Sequence, residues 1–240
     1  MSARAQTEIA LDIPYPTKDA VQKILPSFEA KTGYTVKTHI GVGLGTKQDA
    51  AHGEPYDVFV ILPPFDEALA SGNLVKNTGT VIGSFVLAVT VKKGSPLPDL
   101  STTDSVRKAL LSATPLVTTG PTTDSGGLAS DTLLKKLGII EQLQSTIKYV
   151  ANGPSIGQAV LAGEGAIGLG PYFSDTTFQP QPPLLVIVGA LPRSVATPTD
   201  IYAFVSTHAK DPAAAKALIK YLTTPQAQKI YKEGGILPHK

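Results

Sequence analysis

Residues 8–40 read EIALDIPYPTKDAVQKILPSFEAKTGYTVKTHI. Glu8 to Ile13 is a short apolar run with strand character, Lys18 to Ala30 carries a helical pattern that stops before Gly33, and Thr35 to Ile40 is a second strand. Strand, helix and strand joined by short connections make a β-α-β unit, whose two strands lie parallel. Pro26 falls inside the helical stretch, where its missing N–H and its ring are expected to kink or split the helix.

The same alternation runs outward to the end of the chain. Strands are predicted at Asp57 to Ile61, Ser84 to Val91, Leu116 to Thr119, Ile147 to Val150, Ala166 to Leu169, Leu184 to Val188 and Tyr202 to Val205. The helices Asp131 to Leu137 and Ser155 to Ala162 are each followed by a glycine, Gly138 and Gly163, suited to a left-handed C-terminal position. Asp211-Pro212 and Thr224-Pro225 each set an N-cap before a proline at the first helical position, and Gly234 closes the last helix. The predicted class is α/β with mainly parallel sheets.

Composition bounds the function. Lys and Arg total 21 against 19 Asp and Glu, a formal charge of +2 without a block of like charges, so a nucleic-acid partner is not expected. With no cysteine, disulfides, thiolate metal sites and a cysteine nucleophile are excluded. The longest apolar runs, around Leu184 to Leu191 and Phe85 to Val91, fall short of the roughly 20 residues that span a bilayer, so no membrane insertion is expected. Ala3-Arg4-Ala5 before Gln6 has the small-x-small pattern of a signal-peptidase site, read as the trace of a removed export signal; the other reading is an ordinary cytosolic start.

Several segments, in order and spacing, resemble type II periplasmic solute-binding proteins, most closely the molybdate-binding proteins of ABC importers. They are Lys18 to Ile24 with Phe28 to Gly33, Tyr56 to Val60 with Leu69, Gly72, Leu74 and Val75, and Phe85 to Val89 with Lys93 to Pro96. Ala162 to Ala166, Ala214 to Ala217, Thr224 to Gln228 and Gly235 to Pro238 complete the set. The resemblance implies two lobes, each a mainly parallel sheet flanked by helices, with residues 1–80 and 190–240 forming one lobe and 81–189 the other. It implies ligand in the cleft between lobes, a monomer, periplasmic localisation, no cofactor, and an inner-membrane permease as partner.

The chain also departs from that pattern. The resemblance places Pro16 and Val42 where molybdate binders have ligand serines, and neither side chain donates a hydrogen bond. Lys18 adds a cation beside the loop Tyr15-Pro16-Thr17, and Leu62-Pro63-Pro64 makes the third loop apolar. An anion with a carbon skeleton, a small di- or tricarboxylate, suits both features. The expected ligand contacts are Tyr15, Thr17, Lys18, Val42, Gly43, Pro63, Thr122, Thr123, Ser125, Ser155, Tyr172 and Arg193. The rival on the same fold is an aconitate isomerase-like enzyme shifting a proton along an allylic system, with Lys18, His39, Asp124 and Tyr172 as acid–base candidates.

Each motif has a plainer alternative. Gly41-Val42-Gly43-Leu44-Gly45 has its third glycine one residue early for a dinucleotide fingerprint, so it is a loop whose amides face ligand or a flexible turn. Gly153-Pro154-Ser155-Ile156-Gly157 matches a hydrolase elbow with Asp175 or Asp200 and His208 downstream, but Ser155 as a helix N-cap explains it without chemistry. Pro121 to Gly127 surrounds a carboxylate, or Asp124 or Ser125 caps the next helix. Tyr172 contacts an anion or packs in the core; Arg193 clamps a carboxylate or lies on the surface. His39, His52, His208 and His239 lack a metal-ligand spacing or an acidic partner in sequence, so no metal is expected, and His39 is a proton acceptor or structural.

Overall fold

The first β-α-β unit forms as its sequence predicts. In the computed structural model, which describes residues 7–171 and 184–239, β1 (Glu8–Pro14) and β2 (Thr35–Gly41) pair in parallel from Glu8 opposite Thr35 to Pro14 opposite Gly41. Between them α1 (Lys18–Thr32) buries Ala20, Val21, Ile24, Leu25 and Phe28 and ends on Gly33, whose φ of 74° is the left-handed conformation glycine adopts without penalty. Pro26 does not split this helix, which continues through it to Thr32. After α2 (Gly45–His52), β3 (Val58–Ile61) joins β1 in parallel and is buried at every position; α3 (Asp66–Ala70) and β4 (Thr80–Phe85) follow.

The predicted strand Ser84 to Val91 is two strands. β4 belongs to the first sheet and β5 (Leu87–Lys92) to the second, with Val86 between them. Phe85 to Val89 is buried on both sides of the break, so the apolar run is continuous although the element is not. The chain divides into two compact units at the same place. The second unit is Phe85–Thr199, and the first resumes at Asp200; the sequence reading put these boundaries at 80/81 and 189/190.

In the second unit come α4 (Thr103–Ser112), β6 (Leu116–Thr119), α5 (Ser125–Lys136), α6 (Ile140–Leu143), β7 (Ile147–Val150), α7 (Gly153–Leu161), β8 (Ile167–Pro171) and β9 (Leu185–Ala190). The strand order is β7-β6-β8-β5-β9, with β6 parallel to both β7 and β8 and β5 antiparallel to both β8 and β9. The chain then returns to the first sheet as β10 (Thr199–Val205), antiparallel to β3, giving the order β2-β1-β3-β10-β4. Both sheets are therefore mixed rather than mainly parallel. Each keeps a parallel trio, and β5 and β10 enter without the helical crossover a parallel neighbour requires.

Helices α8 (Pro212–Leu222) and α9 (Pro225–Glu233) start under the caps read from sequence, Asp211 and Thr224, each accepting from backbone amides one turn on. Phe65 packs edge-on against Tyr202 and Phe204, at 5.1 and 5.4 Å between ring centres, and closes the apolar cluster around Phe59 and Ile61. The buried Asp57 carboxylate joins distant parts of this unit, accepting from Ala10 N at 2.7 Å and Lys210 N at 2.6 Å.

Candidate functional site

The parallel trio β2-β1-β3 directs its carboxyl ends to three loops; the connection from β1 leads to β2 on one side and that from β3 to β4 on the other, so the switch point at which open α/β sheets hold ligands lies between β1 and β3. None of the helices that follow these loops has a side-chain cap: the side chains of Thr17 before α1, Leu44 before α2 and Phe65 before α3 accept no bond from the helix, although Leu44 O and Phe65 O accept from its backbone and Lys18 N donates to Tyr15 O. The Thr17 hydroxyl, fully buried, donates to Pro14 O at 2.9 Å. Val42 is 53% exposed, Gly43 has a φ of 61°, and Pro63 is half-buried. Gly41 is required by close approach, since a Cβ there would lie 2.8 Å from Thr46 Cγ2 and 2.9 Å from Thr46 N.

The Lys18 ammonium sits 5.7 Å from the centre of the Tyr15 ring, a cation–π distance. Burial, with Asp19 nearby, pushes the Tyr15 phenol up. A cleft of about 340 Å³ opens beside these loops, with Leu44, Pro64 and Phe65 as apolar wall and Lys47 and Gln48 at its rim. Asp66 and Glu67 line its other side and disfavour a polycarboxylate there.

Sequence reasoning missed the carboxylates that meet His39. Asp12, fully buried, lies opposite His39 in the β1–β2 register, and His39 Nδ1 is 2.9 Å from Asp12 Oδ1 and 3.8 Å from Asp49 Oδ2 on α2. No acidic partner stands at ligand spacing from His39 in the sequence; the structure supplies two from positions 27 residues earlier and 10 later, through register and helix packing. Burial pushes the Asp12 carboxyl up to about 6, against the lowering effect of its bond to His39. With Asp12 ionised, Nδ1–H donates, and the imidazole stacks on Tyr56 at 5.3 Å and 18°. The available signal was an acid, Asp12, inside an otherwise apolar strand.

In the second unit the loop after β6 resolves to a cap. Asp124 Oδ1 accepts from Gly126 N at 2.7 Å, Gly127 N at 3.3 Å and the Thr119 hydroxyl at 3.2 Å. The first amides of α5 are therefore already occupied by a carboxylate. Thr123 donates to Gly120 O at 3.3 Å, Thr122 is exposed, and Ser125 is buried. Ser155 is not the cap of α7: Asn152 is, its Oδ1 accepting from Ser155 N at 3.2 Å and from the Ser155 hydroxyl at 2.9 Å, because the helix begins two residues earlier than its apolar pattern.

The other members of the hydrolase set are engaged elsewhere. His208 Nε2 is 3.1 Å from Asn73 Oδ1, and Asp200 accepts from the Ser84 hydroxyl at 2.6 Å. Arg193 is exposed on the segment after β9. Tyr172 and Asp175 lie outside the described residues.

The sequence matches the family model of bacterial extracellular solute-binding proteins over residues 14–237. The chain belongs to that family. Among its relatives, the aconitate isomerase of a Pseudomonas species is 25% identical over 224 residues, covering 91% of this chain and 83% of that protein. The molybdate-binding protein ModA of Azotobacter vinelandii is 29% identical over 248 residues, covering 98% of this chain and 90% of ModA. The sulfate-binding protein SubI of Mycobacterium tuberculosis shares the fold with a TM-score of 0.79 at 18% identity, over 97% of this solute-binding chain and 87% of SubI. No helix among the described residues is long and apolar enough to cross a membrane.

Proposed function

We propose that this solute-binding protein captures a small organic polycarboxylate in the periplasm and delivers it to an ABC-type permease. The observation that carries the proposal is the chemistry of the first unit's strand-end loops. The Thr17 hydroxyl is spent on Pro14, Pro16 and Val42 have no donor, and the helix starts carry no side-chain cap. Compact oxyanions need donors converging on a small volume, whereas amides at helix N-termini plus the long Lys18 ammonium suit carboxylates spread along a carbon skeleton. ModA and SubI, as relatives named for anions, support an anionic ligand.

Calorimetry with tricarballylate, citrate and molybdate tests this. Saturable binding of a polycarboxylate without tight binding of molybdate is expected, and sub-micromolar molybdate affinity would overturn it. Lys18→Ala is expected to weaken polycarboxylate binding by about 1.5–3 kcal/mol, the value of a charge-assisted hydrogen bond, with a smaller loss for analogues lacking one carboxylate. An unchanged dissociation constant across the series removes Lys18 from the site.

A second reading, allylic isomerisation, is favoured by one observation, the buried Asp12 that orients His39. The aconitate isomerase relative supports it. In that reading His39 removes a proton from the carbon between carboxylates, helix-start amides stabilise the dienolate-like charge, and the same imidazole returns the proton at the far carbon. Chromatography after incubation with cis- or trans-aconitate separates the two. Interconversion that disappears in His39→Ala makes the protein an enzyme; unchanged substrate leaves the carrier.

A further inference from the structure

Asp12, His39 and Asp49 present one ligand atom each, and the three atoms lie within 4.8 Å of one another. The elements that bring them together are β1, β2 and α2, all in the first unit, so their spacing is set by strand register and by α2 packing on the sheet. A second observation bears on the same spot. Asp12 is fully buried, and its Oδ2 has no hydrogen-bond partner among the described residues. A carboxylate oxygen withdrawn from water and left unanswered is costly, and buried charges are paired or bound to metal.

We propose that this cluster is a binding site for a divalent transition metal of the zinc class. Two carboxylates and one neutral imidazole bring a charge that matches a divalent cation, and a nitrogen ligand favours zinc-like ions over magnesium or calcium, which take oxygen cages. At metal–ligand distances of about 2.0–2.2 Å, tetrahedral ligands stand roughly 3.4 Å apart. The separations from His39 Nδ1, 2.9 Å to Asp12 and 3.8 Å to Asp49, bracket that value. The Tyr56 ring holds the imidazole plane, and His39 is exposed, which leaves further positions to water. Binding exchanges the Nδ1 proton for the metal, and the proton passes to the buffer.

The test uses the full chain freed of metal and titrated with zinc alone, followed by cobalt as a spectroscopic probe of coordination. One saturable site is expected, with proton release seen as a dependence of the heat on buffer ionisation. His39→Ala and Asp49→Asn change partly exposed side chains, so their folds are checked by circular dichroism and their affinities are expected to fall by about tenfold or more, no less than the loss of an outer-shell partner. The absence of saturable zinc binding to the parent chain, binding unchanged in both variants, or a preference for calcium over zinc overturns the proposal. No organic acid is present in these titrations, so their outcome is independent of the carrier and isomerase readings.

Discussion

In the first unit the helices that follow β1, β2 and β3 begin with no side-chain cap, whereas in the second the helices that follow β6 and β7 begin under Asp124 and Asn152. The two sets occupy the same place in a parallel sheet and differ in how their first amides are met. At α5 the Asp124 carboxylate satisfies the first amides and opposes the dipole, and at α7 the neutral Asn152 satisfies one; α1 and α3 carry Asp19, and Asp66 with Glu67, in their first turns, whereas the start of α2 has neither cap nor acid and leaves the positive end of its dipole available. The same architecture can therefore be read for stability in one unit and for ligand in the other.

The sharpest way to break this contrast is Gly127→Ala. Its Cβ would run into Gly120 O and Thr119 O, both backbone atoms, so the Asp124 cap would be forced off its amides. A loss of about 3 kcal/mol in urea unfolding is expected, at the upper end for overpacking; stability within about 1 kcal/mol of the parent would mean that the loop is not tightly held.

Next in size is a pH effect in the first unit. Asp12 titrates near 6 when folded against 3.8 for an ordinary carboxyl, so folding favours its protonated form. Its contribution is fully present below about pH 4 and is lost as pH rises through 6, opposite to the usual salt-bridged acid. At about 1.4 kcal/mol per unit, the stability of the parent relative to Asp12→Asn should fall by about 2–3 kcal/mol between pH 4 and 6.5 in thermal unfolding. A flat difference would place Asp12 in a wetter setting than its burial indicates.

Asp124→Ala should cost about 1–2 kcal/mol by the same urea measurement, the range for losing an acidic N-cap. The smallest effect distinguishes the cap of α7: Asn152→Ala should cost about 1 kcal/mol, and Ser155→Ala less, since Ser155 contributes one hydroxyl donor to the Asn152 side chain. The reverse ranking would return the capping role to Ser155.

What was legible in the sequence follows from the range of the interaction that fixes each feature. Leu116–Thr119 and Ile147–Val150 fall at the residues where their apolar runs begin and end, and Asp211 and Thr224 cap as written, because propensity and capping act over a few neighbours. The break at Val86 was hidden because burial looks the same on both sides of it. The start of α5 was legible only as one of two readings, Asp124 or Ser125 as its cap, because Ser125, Gly126 and Gly127 are poor helix formers held in place by Asp124. At the site, the polar loops were visible as loops, but which side chain meets which was not. Asp12 and His39 meet through strand register and Asp49 joins them through the packing of α2, and nothing local to any one of them reports it.

The late arrival of β10 sets an order of assembly. In the first sheet the strand beside β4 is β10, and Ser84 of β4 also bridges to Leu237; both partners are reached after residue 198, as is the Lys210 amide that completes the Asp57 carboxylate. A chain emerging from its N-terminus can close the β2-β1-β3 trio and then the whole continuous second unit, while β4 waits without a neighbour and one oxygen of Asp57 without its amide. Truncation before Thr199 would leave the second unit complete and the first with an open edge along β3. The last forty residues are thus a clasp: they supply the strand beside β4, the bridge to Ser84 and the second amide on Asp57.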